Sequence, residues 1–201
     1  YIAIPAIEAA AGNDKASAKV KYEAARALQS IGKPGEAGLL GKLLGDSEPA
    51  VRMAALDAVS SMRIKAHAKE ATALLSDENW KVQTAAIEAV AQIRPQEAVQ
   101  PLIDLMGKSG RLRTECADAL VRVTGLDFGV DPEKWQQQWN HLMGIKGWRI
   151  PTDEELAAKE ASRKKYDAFY GRKDETNSFA GIPTTSTSVL FVIDVSGSME
   201  D

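Results

Sequence analysis

Four stretches of the chain align with one another without gaps and decide the fold: VKYEAARALQSI (20–31), VRMAALDAVSSM (51–62), VQTAAIEAVAQI (82–93) and LRTECADALVRV (112–123). In the second stretch, the apolar positions are Val51, Ala55, Ala58, Val59 and Met62. Residues at such spacings share one face of an α-helix, so each stretch predicts an amphipathic helix. The stretches start at residues 20, 51, 82 and 112, and this regular period identifies them as internal repeats.

A second apolar pattern with the same period precedes the last three of these helices. Asp46 and Asp77 follow two of its copies, just before Glu48 and Asn79, as expected for a helix end and the start of the next helix. Residues 4–11 contain an earlier, weaker copy. The unit is therefore predicted to be a helical hairpin, and stacked hairpins share one continuous core. The three copies are Leu40, Leu43 and Leu44; Ala71, Leu74 and Leu75; and Leu102, Leu105 and Met106.

The combined pattern, L-x-x-L-L-x-D followed by V-[R/K]-x-x-A-x-x-A-[L/V], resembles that of HEAT-like repeats over residues 1–124. The resemblance implies an all-α fold, a right-handed α-solenoid of helical hairpins. It also implies that a polar residue after the first apolar position bonds a loop aspartate of the adjacent unit, with Asp46 and Asp77 as candidates. We interpret these charges as a structural ladder rather than as a functional site. The polar residues concerned are Lys21, Arg52, Gln83 and Arg113.

The repeat period fails after Val123, and residues 125–148 are predicted to form a capping segment. Trp135 and Trp139 are one helical turn apart, and with Trp148 they suit the atypical face that closes a repeat stack. An aromatic platform that binds carbohydrate or peptide is the alternative interpretation. Cys116 occupies a column of small core residues, so we expect it to be buried. We interpret His67 and His141 as surface or hydrogen-bonded residues, because neither has a partner at metal-ligand spacing.

Residues 149–188 are predicted to form a charged helix and a linker. Thr152 and Glu155 have the spacing of a capping box, which opens a helix rich in Lys, Arg and Glu that continues to about Tyr170. Gly171 to Ser188 contains glycine, proline and a Ser/Thr cluster, which is typical of a linker to a further domain.

The last thirteen residues, VLFVIDVSGSMED (189–201), carry the chemistry that the repeats lack. Five apolar residues predict a buried parallel strand. Asp194, Ser196 and Ser198 follow directly and present one carboxylate and two hydroxyls, while Gly197 permits a tight turn. Oxygen donors of this kind suit a hard cation such as Mg²⁺ or Mn²⁺.

This segment is similar to the first strand and the DxSxS motif of a von Willebrand factor A domain. The resemblance implies the start of a doubly wound α/β fold with a metal-ion-dependent adhesion site at the edge of its sheet. It further implies that Ser196 and Ser198 coordinate the metal directly and Asp194 largely through water. A threonine and an aspartate from later loops complete the motif in that family. Since the chain begins without methionine and stops inside the motif, we expect a fragment that binds no metal by itself.

Three other chemistries match this segment less well. A haloacid-dehalogenase-type phosphotransferase needs a second aspartate where Ser196 stands. A Walker B strand would need a preceding G-x-x-x-x-G-K-[ST] motif, and a serine nucleophile elbow would need G-x-S-x-G. We therefore expect no enzyme activity, because the sequence supplies no nucleophile, general base or cofactor pocket.

Composition excludes several classes of protein. Hydrophobic residues at 44% and charged residues at 26% are ordinary for a folded chain, and a single cysteine excludes an internal disulfide. A net charge of −3 argues against a nucleic-acid partner, and no apolar run is long enough for a membrane span.

These observations favour a protein-protein interaction scaffold coupled to a metal-dependent ligand-binding domain. Its solvent stripe beside the core face is mixed in charge, which suits a protein partner better than a polyanion. The alternative is an adaptor subunit of an AAA-ATPase or metal-chelatase-like complex. HEAT-like repeats also occur in lyases that act on bound pigments. The stripe consists of Tyr22 and Arg26, Met53 and Asp57, Thr84 and Glu88, and Thr114 and Asp118.

Overall fold

The computed structural model describes residues 3–13, 15–32 and 38–170, with side chains as far as residue 165, and the backbone of two short strands. The chain divides into two compact units, Tyr1–Glu154 and Glu155–Asp201. The strands β1 (Ser178–Phe179) and β2 (Ile182–Pro183) pair antiparallel. The described helices are α1 (Ala3–Ala11), α2 (Ala18–Ile31), α3 (Gly38–Leu44), α4 (Pro49–Ser61), α5 (Ala68–Ala73), α6 (Trp80–Ile93), α7 (Val99–Lys108), α8 (Arg113–Thr124), α9 (Pro132–Gly144) and α10 (Asp153–Tyr170).

The hairpins predicted from the repeats are confirmed. Helices α1 and α2, α3 and α4, α5 and α6, and α7 and α8 pack as pairs. Successive second helices also pack on one another, so α2, α4, α6 and α8 form one layer, which we call the second-helix layer. Ala55, Ala58 and Val59 are completely buried there. Because alanine adds little volume, adjacent helix backbones can approach closely along this layer.

Polar side chains before α4 and α6 bind backbone N–H groups where these helices begin. The Asn79 side chain accepts a hydrogen bond from the backbone N–H of Lys81 at 2.9 Å and so caps α6. Before α4 and α6, Asp46 and Asp77 accept from the N–H groups of Glu48 and Asn79, at 3.0 and 2.8 Å. These bonds turn the chain sharply between the two helices of a hairpin.

Val20 departs from the predicted pattern. It aligns with Val51 and Val82, which are fully buried, yet 41% of its surface is exposed. Val51 lies in α4, between α2 on one side and α6 on the other. Among the described helices, α2 has a second-helix neighbour on one side alone. Val51, Val82 and Leu112 are buried at this position, and each belongs to a repeat with another second helix before it. Val20 lacks that preceding neighbour among the described helices, which accounts for its exposure.

The predicted ladder of charges exists and has two rungs in the described part of the chain. Lys21 Nζ lies 2.7 Å from a carboxylate oxygen of Asp46. Arg52 binds both carboxylate oxygens of Asp77, at 2.8 and 2.9 Å, and also donates to the carbonyls of Asp46 and Ser47. The loop that follows α7 carries no aspartate for Gln83, the equivalent residue of α6, to bind. Arg113, the equivalent residue of α8, donates to the Met106 carbonyl at 3.4 Å. The ladder therefore joins neighbouring hairpins of the stack.

The tryptophans after the last repeat belong to the core. Trp135 and Trp139 of α9 are buried, and α9 packs on α7. Phe128 meets the Trp135 ring edge-to-face at 4.8 Å, and Trp148 meets Trp139 in the same way at 5.6 Å. Indole rings covered in this way cannot serve as an open binding platform.

Arg94 fastens the segment after α9 to the repeats. It ends α6 with a positive φ of 59° and donates hydrogen bonds to the carbonyls of Arg122 and Val123 at 2.9 and 3.0 Å. The same guanidinium donates to the Pro151 carbonyl at 2.8 Å and to the Asp153 carboxylate. This contact lowers the pKa of Asp153. One side chain thus joins α6, α8 and the start of α10.

Cys116 and His67 also have packing roles. Cys116 is fully buried, as predicted, and desolvation raises the pKa of its thiol to about 12. The imidazole of His67 lies against Gly41 of α3, where an added Cβ would be only 2.7 Å from His67 Cε1. His141 is exposed on α9.

Candidate interaction surface

The solvent stripe predicted from the sequence lies on the second-helix layer. Each second helix contributes one residue pair, and the second residue of every pair is exposed. Asp57, Glu88 and Asp118 are equivalent positions in successive repeats, so they form a column of carboxylates across α4, α6 and α8. Arg26 holds the same position in α2 and lies 6.0 Å from the Tyr22 ring centroid.

An open depression lies beside this column, where α2, α4 and α6 meet. Its volume is about 510 Å³. Arg63 donates to Gln92 across it at 3.3 Å, and Gln92 donates to Glu88 at 2.8 Å. The walls are polar throughout, which suits hydrogen bonding to a peptide better than enclosure of an apolar ligand. The lining residues are Gln29, Asp57, Ser60, Ser61, Arg63, Glu88 and Gln92.

Asp57 is the carboxylate in this depression that has no cationic partner within the described residues. Although Asp57 remains exposed to solvent, the walls of the depression remove part of its hydration. This desolvation raises the pKa of the Asp57 carboxyl above its ordinary value. A hydrogen-bond donor or a cation from a partner would stabilise its charged form.

Glu88 has the opposite environment. Arg122 of the next repeat donates to both of its carboxylate oxygens, at 2.8 and 3.1 Å. These bonds hold the pKa of Glu88 below its ordinary value. Glu88 and Arg122 both line a second, smaller depression between α6 and α8. Its other lining residues are the polar Thr84, Glu115 and Asp118 and the apolar Ile87, Ala91 and Ala119. Mixed charge along the stripe is therefore observed as well as predicted.

Trp80 is a surface residue that the repeat pattern did not indicate. It is the first residue of α6 and 46% exposed. Its equivalent in the preceding repeat is Pro49, so comparing the first helical positions of the repeats would have distinguished it. The Arg111 guanidinium lies over its ring, 4.6 Å from the centroid.

The predicted metal ligands Asp194, Ser196 and Ser198 lie outside the described residues, as does the predicted strand of residues 189–193. Within the described side chains, no cluster of three His, Cys, Asp or Glu residues could hold a metal ion. No helix of the described segments combines the length and the apolar character needed to cross a membrane.

Stacked helical hairpins with one continuous core define this protein as a helical-repeat protein of the α-solenoid class. Comparison with family models identifies the repeats: the model of HEAT repeats matches residues 4–72 and 37–121, which together make up more than half of the chain. The chain therefore belongs to the HEAT-repeat family. The comparison with curated proteins found no match.

Proposed function

We propose that this protein is a non-enzymatic scaffold that binds a protein partner on the stripe of its second-helix layer. Repeats of this family suggest a scaffold for protein-protein interaction. The observation that supports the stripe most directly is the pair of adjoining open depressions between successive second helices, each lined in part by side chains of both charges. The apolar residues Ile87, Ala91 and Ala119 also line the depression between α6 and α8. A surface of this kind offers hydrogen bonds and small apolar contacts along the length of an extended segment.

The charges of the stripe favour a protein partner over a polyanion. Asp57, Glu88 and Asp118 would repel phosphate groups, whereas the desolvated Asp57 would gain from a lysine, an arginine or a backbone N–H group. Arg122 already satisfies Glu88, so we expect Asp57 to contribute more to affinity than Glu88 does.

A photo-crosslinking residue placed at position 57 or at position 118 tests this proposal in the source cells. We expect both positions to crosslink the same protein, and the Asp57→Arg change to abolish the crosslink from position 118. Position 69 is the matched control, because Lys69 is exposed on α5, outside the second-helix layer. Equal crosslinking from position 69, or different proteins at 57 and 118, would contradict the proposal.

The metal-dependent part of the proposal rests on the sequence of residues 189–201. One carboxylate and two hydroxyls are hard donors that fit Mg²⁺ or Mn²⁺, and Asp194, Ser196 and Ser198 would hold the ion. Bound there, the ion would supply a positive centre for a carboxylate of a ligand. Three such donors leave most of the coordination shell to water, so they bind weakly without further ligands.

Calorimetry with Mg²⁺ separates the outcomes. The 201-residue chain is expected to show little affinity, whereas a longer chain that includes a complete von Willebrand A domain should bind, and its Asp194→Ala variant should not. Equal binding by that longer chain and its variant would eliminate the adhesion-site interpretation. Tight binding by the 201 residues alone would mean that other side chains, such as Glu200 and Asp201, complete a different site.

A further inference from the structure

The exposed indole of Trp80 lies at the edge of the stack where the second helices begin. We call this region the loop edge, defined by residues 77–81 and 108–113, which lead into α6 and α8. Tryptophan has the largest apolar side chain, and 46% of Trp80 is exposed, so its indole can bury a large apolar area against a partner. Its ring adds little to the hydrophobic core, which the apolar face of α6 already fills.

Two cations lie close to this ring. The Arg111 guanidinium carbon is 4.6 Å from the ring centroid and Lys81 Nζ is 5.9 Å from it, both within the range of a cation–π interaction. Neither cation pairs with a carboxylate of the described residues. A guanidinium that lies over an aromatic face can still donate its N–H groups, so Arg111 can bind an anion without losing its contact with Trp80.

The local charge of the loop edge is opposite to that of the whole chain. Asp77 is neutralised there by its two bonds to Arg52. The remaining basic residues outnumber the remaining acidic ones, although the chain carries a net charge of −3. The basic residues are Lys81, Lys108, Arg111 and Arg113, and the remaining acidic residue is Glu78; Glu115 lies just beyond the loop edge.

We propose that Trp80, Lys81 and Arg111 form a docking site for an acidic segment of a protein partner. A carboxylate of that segment binds the fork of Arg111 and the ammonium of Lys81, while an adjacent apolar side chain packs on the indole. Tryptophan and arginine are enriched among the residues that dominate interface energies, and here they are in contact before a partner arrives. The ring fixes the arginine side chain, which reduces the entropy lost on binding. The site adjoins the stripe, since Trp80 is one helical turn before Thr84 in α6. The proposal does not depend on the function proposed for the stripe.

Fluorescence anisotropy with a labelled peptide tests the site on the complete 201-residue chain. The probe is a nine-residue peptide of Glu and Asp around a central Leu, and the control peptide has Gln and Asn in place of the acids. We expect the acidic peptide to bind and the control peptide not to bind. Arg111→Glu and Trp80→Ala should each raise the dissociation constant about tenfold or more. Since both side chains are on the surface, helical circular dichroism should be unchanged in these variants.

Lys146→Glu is the matched control, because it changes the net charge as Arg111→Glu does at an exposed position after α9. Unchanged binding in Lys146→Glu, with loss in Arg111→Glu, supports the site. An equal loss of affinity in both variants would show that the overall charge of the chain causes the effect, and it would overturn the proposal. No binding of the acidic peptide to the unmodified chain would also overturn it. Binding of oligothymidylate instead of the acidic peptide, with loss of that binding in Arg111→Glu, would also overturn the proposal, because the site would then bind a nucleic acid.

Discussion

At the scale of single residues, Arg52 shows why a charged side chain can be part of this core. Only 8% of the residue is exposed, yet its guanidinium donates to two carboxylate oxygens and two backbone carbonyls. Such an ion pair adds little over an apolar pair of the same shape, but breaking it leaves one buried charge unpaired. Arg52 therefore fixes the register between adjacent hairpins more than it adds net stability.

Replacing Arg52 by alanine should lower the free energy of unfolding by about 3–5 kcal/mol, because Asp77 would keep its charge without a cationic partner. Urea denaturation followed by circular dichroism measures this loss. The unfolding free energy of Arg52→Lys should fall between those of the unmodified chain and Arg52→Ala. Lysine keeps the charge but cannot bind both oxygens of Asp77 in a fork. A loss below about 0.5 kcal/mol for Arg52→Ala would show that the ladder does not stabilise the stack.

Asp46 predicts how stability depends on pH. Burial acts to raise its pKa, but the Lys21 ammonium and the N–H of Glu48 prevail and lower the pKa below the ordinary 3.8. Ionised Asp46 therefore stabilises the fold above the unfolded pKa of 3.8, and this contribution disappears as the pH falls through the lower folded pKa. In unfolding curves from about pH 6 to pH 3, Asp46→Asn should lose less stability than the unmodified chain. Asp118→Asn, at an exposed position of α8, should follow the unmodified chain, and identical curves for all three would contradict the argument.

At the scale of elements, the second-helix layer depends on small residues. Ala55 and Ala86, equivalent in α4 and α6, are each fully buried, and each faces a neighbouring second helix. The absence of longer side chains sets the helix spacing, and that spacing brings Lys21 to Asp46 and Arg52 to Asp77. The packing of the second-helix layer and the ladder of charges therefore depend on each other.

Ala55→Leu should overpack this layer and cost about 1–3 kcal/mol of unfolding free energy. Asp57→Ala, two residues away but exposed, should change it by no more than about 0.5 kcal/mol. Denaturant unfolding of the two variants side by side makes the comparison. Equal effects would mean that the assignment of buried and exposed faces on α4 is wrong.

The sequence predicted those features that recur in every hairpin. The burial of Val51 and the contacts of Arg52 follow from neighbours that the period guarantees. The exposure of Val20 does not follow, because it depends on the position of α2 in the stack rather than on its own pattern. Trp80 and Arg94 were also missed: each contacts a residue distant in sequence, Arg111 and Asp153, that lies outside the repeated pattern. The metal ligands predicted at residues 194–198 stay a prediction.

At the scale of the whole molecule, the first compact unit ends at Glu154 rather than at the last repeat. The segment after α9 contributes Trp148 and Ile150 to the hydrophobic core, and the Ile150 N–H donates to Gln96 at 3.3 Å. Arg94 adds its bonds to Pro151 and Asp153. These contacts fasten the segment to the turn between α6 and α7.

A fragment of residues 1–154 should accordingly fold alone, with a strongly helical spectrum and one cooperative melting transition. A fragment of residues 1–148 should be less stable by about 1–3 kcal/mol, because it lacks the acceptors at Pro151 and Asp153 and the Ile150 side chain. If Arg94 acts through that segment, Arg94→Ala should cost more in the longer fragment than in the shorter one, and the difference measures the coupling. Equal costs in the two fragments would restrict Arg94 to its bonds with Arg122 and Val123. A disordered spectrum for residues 1–154 would contradict the repeat assignment itself.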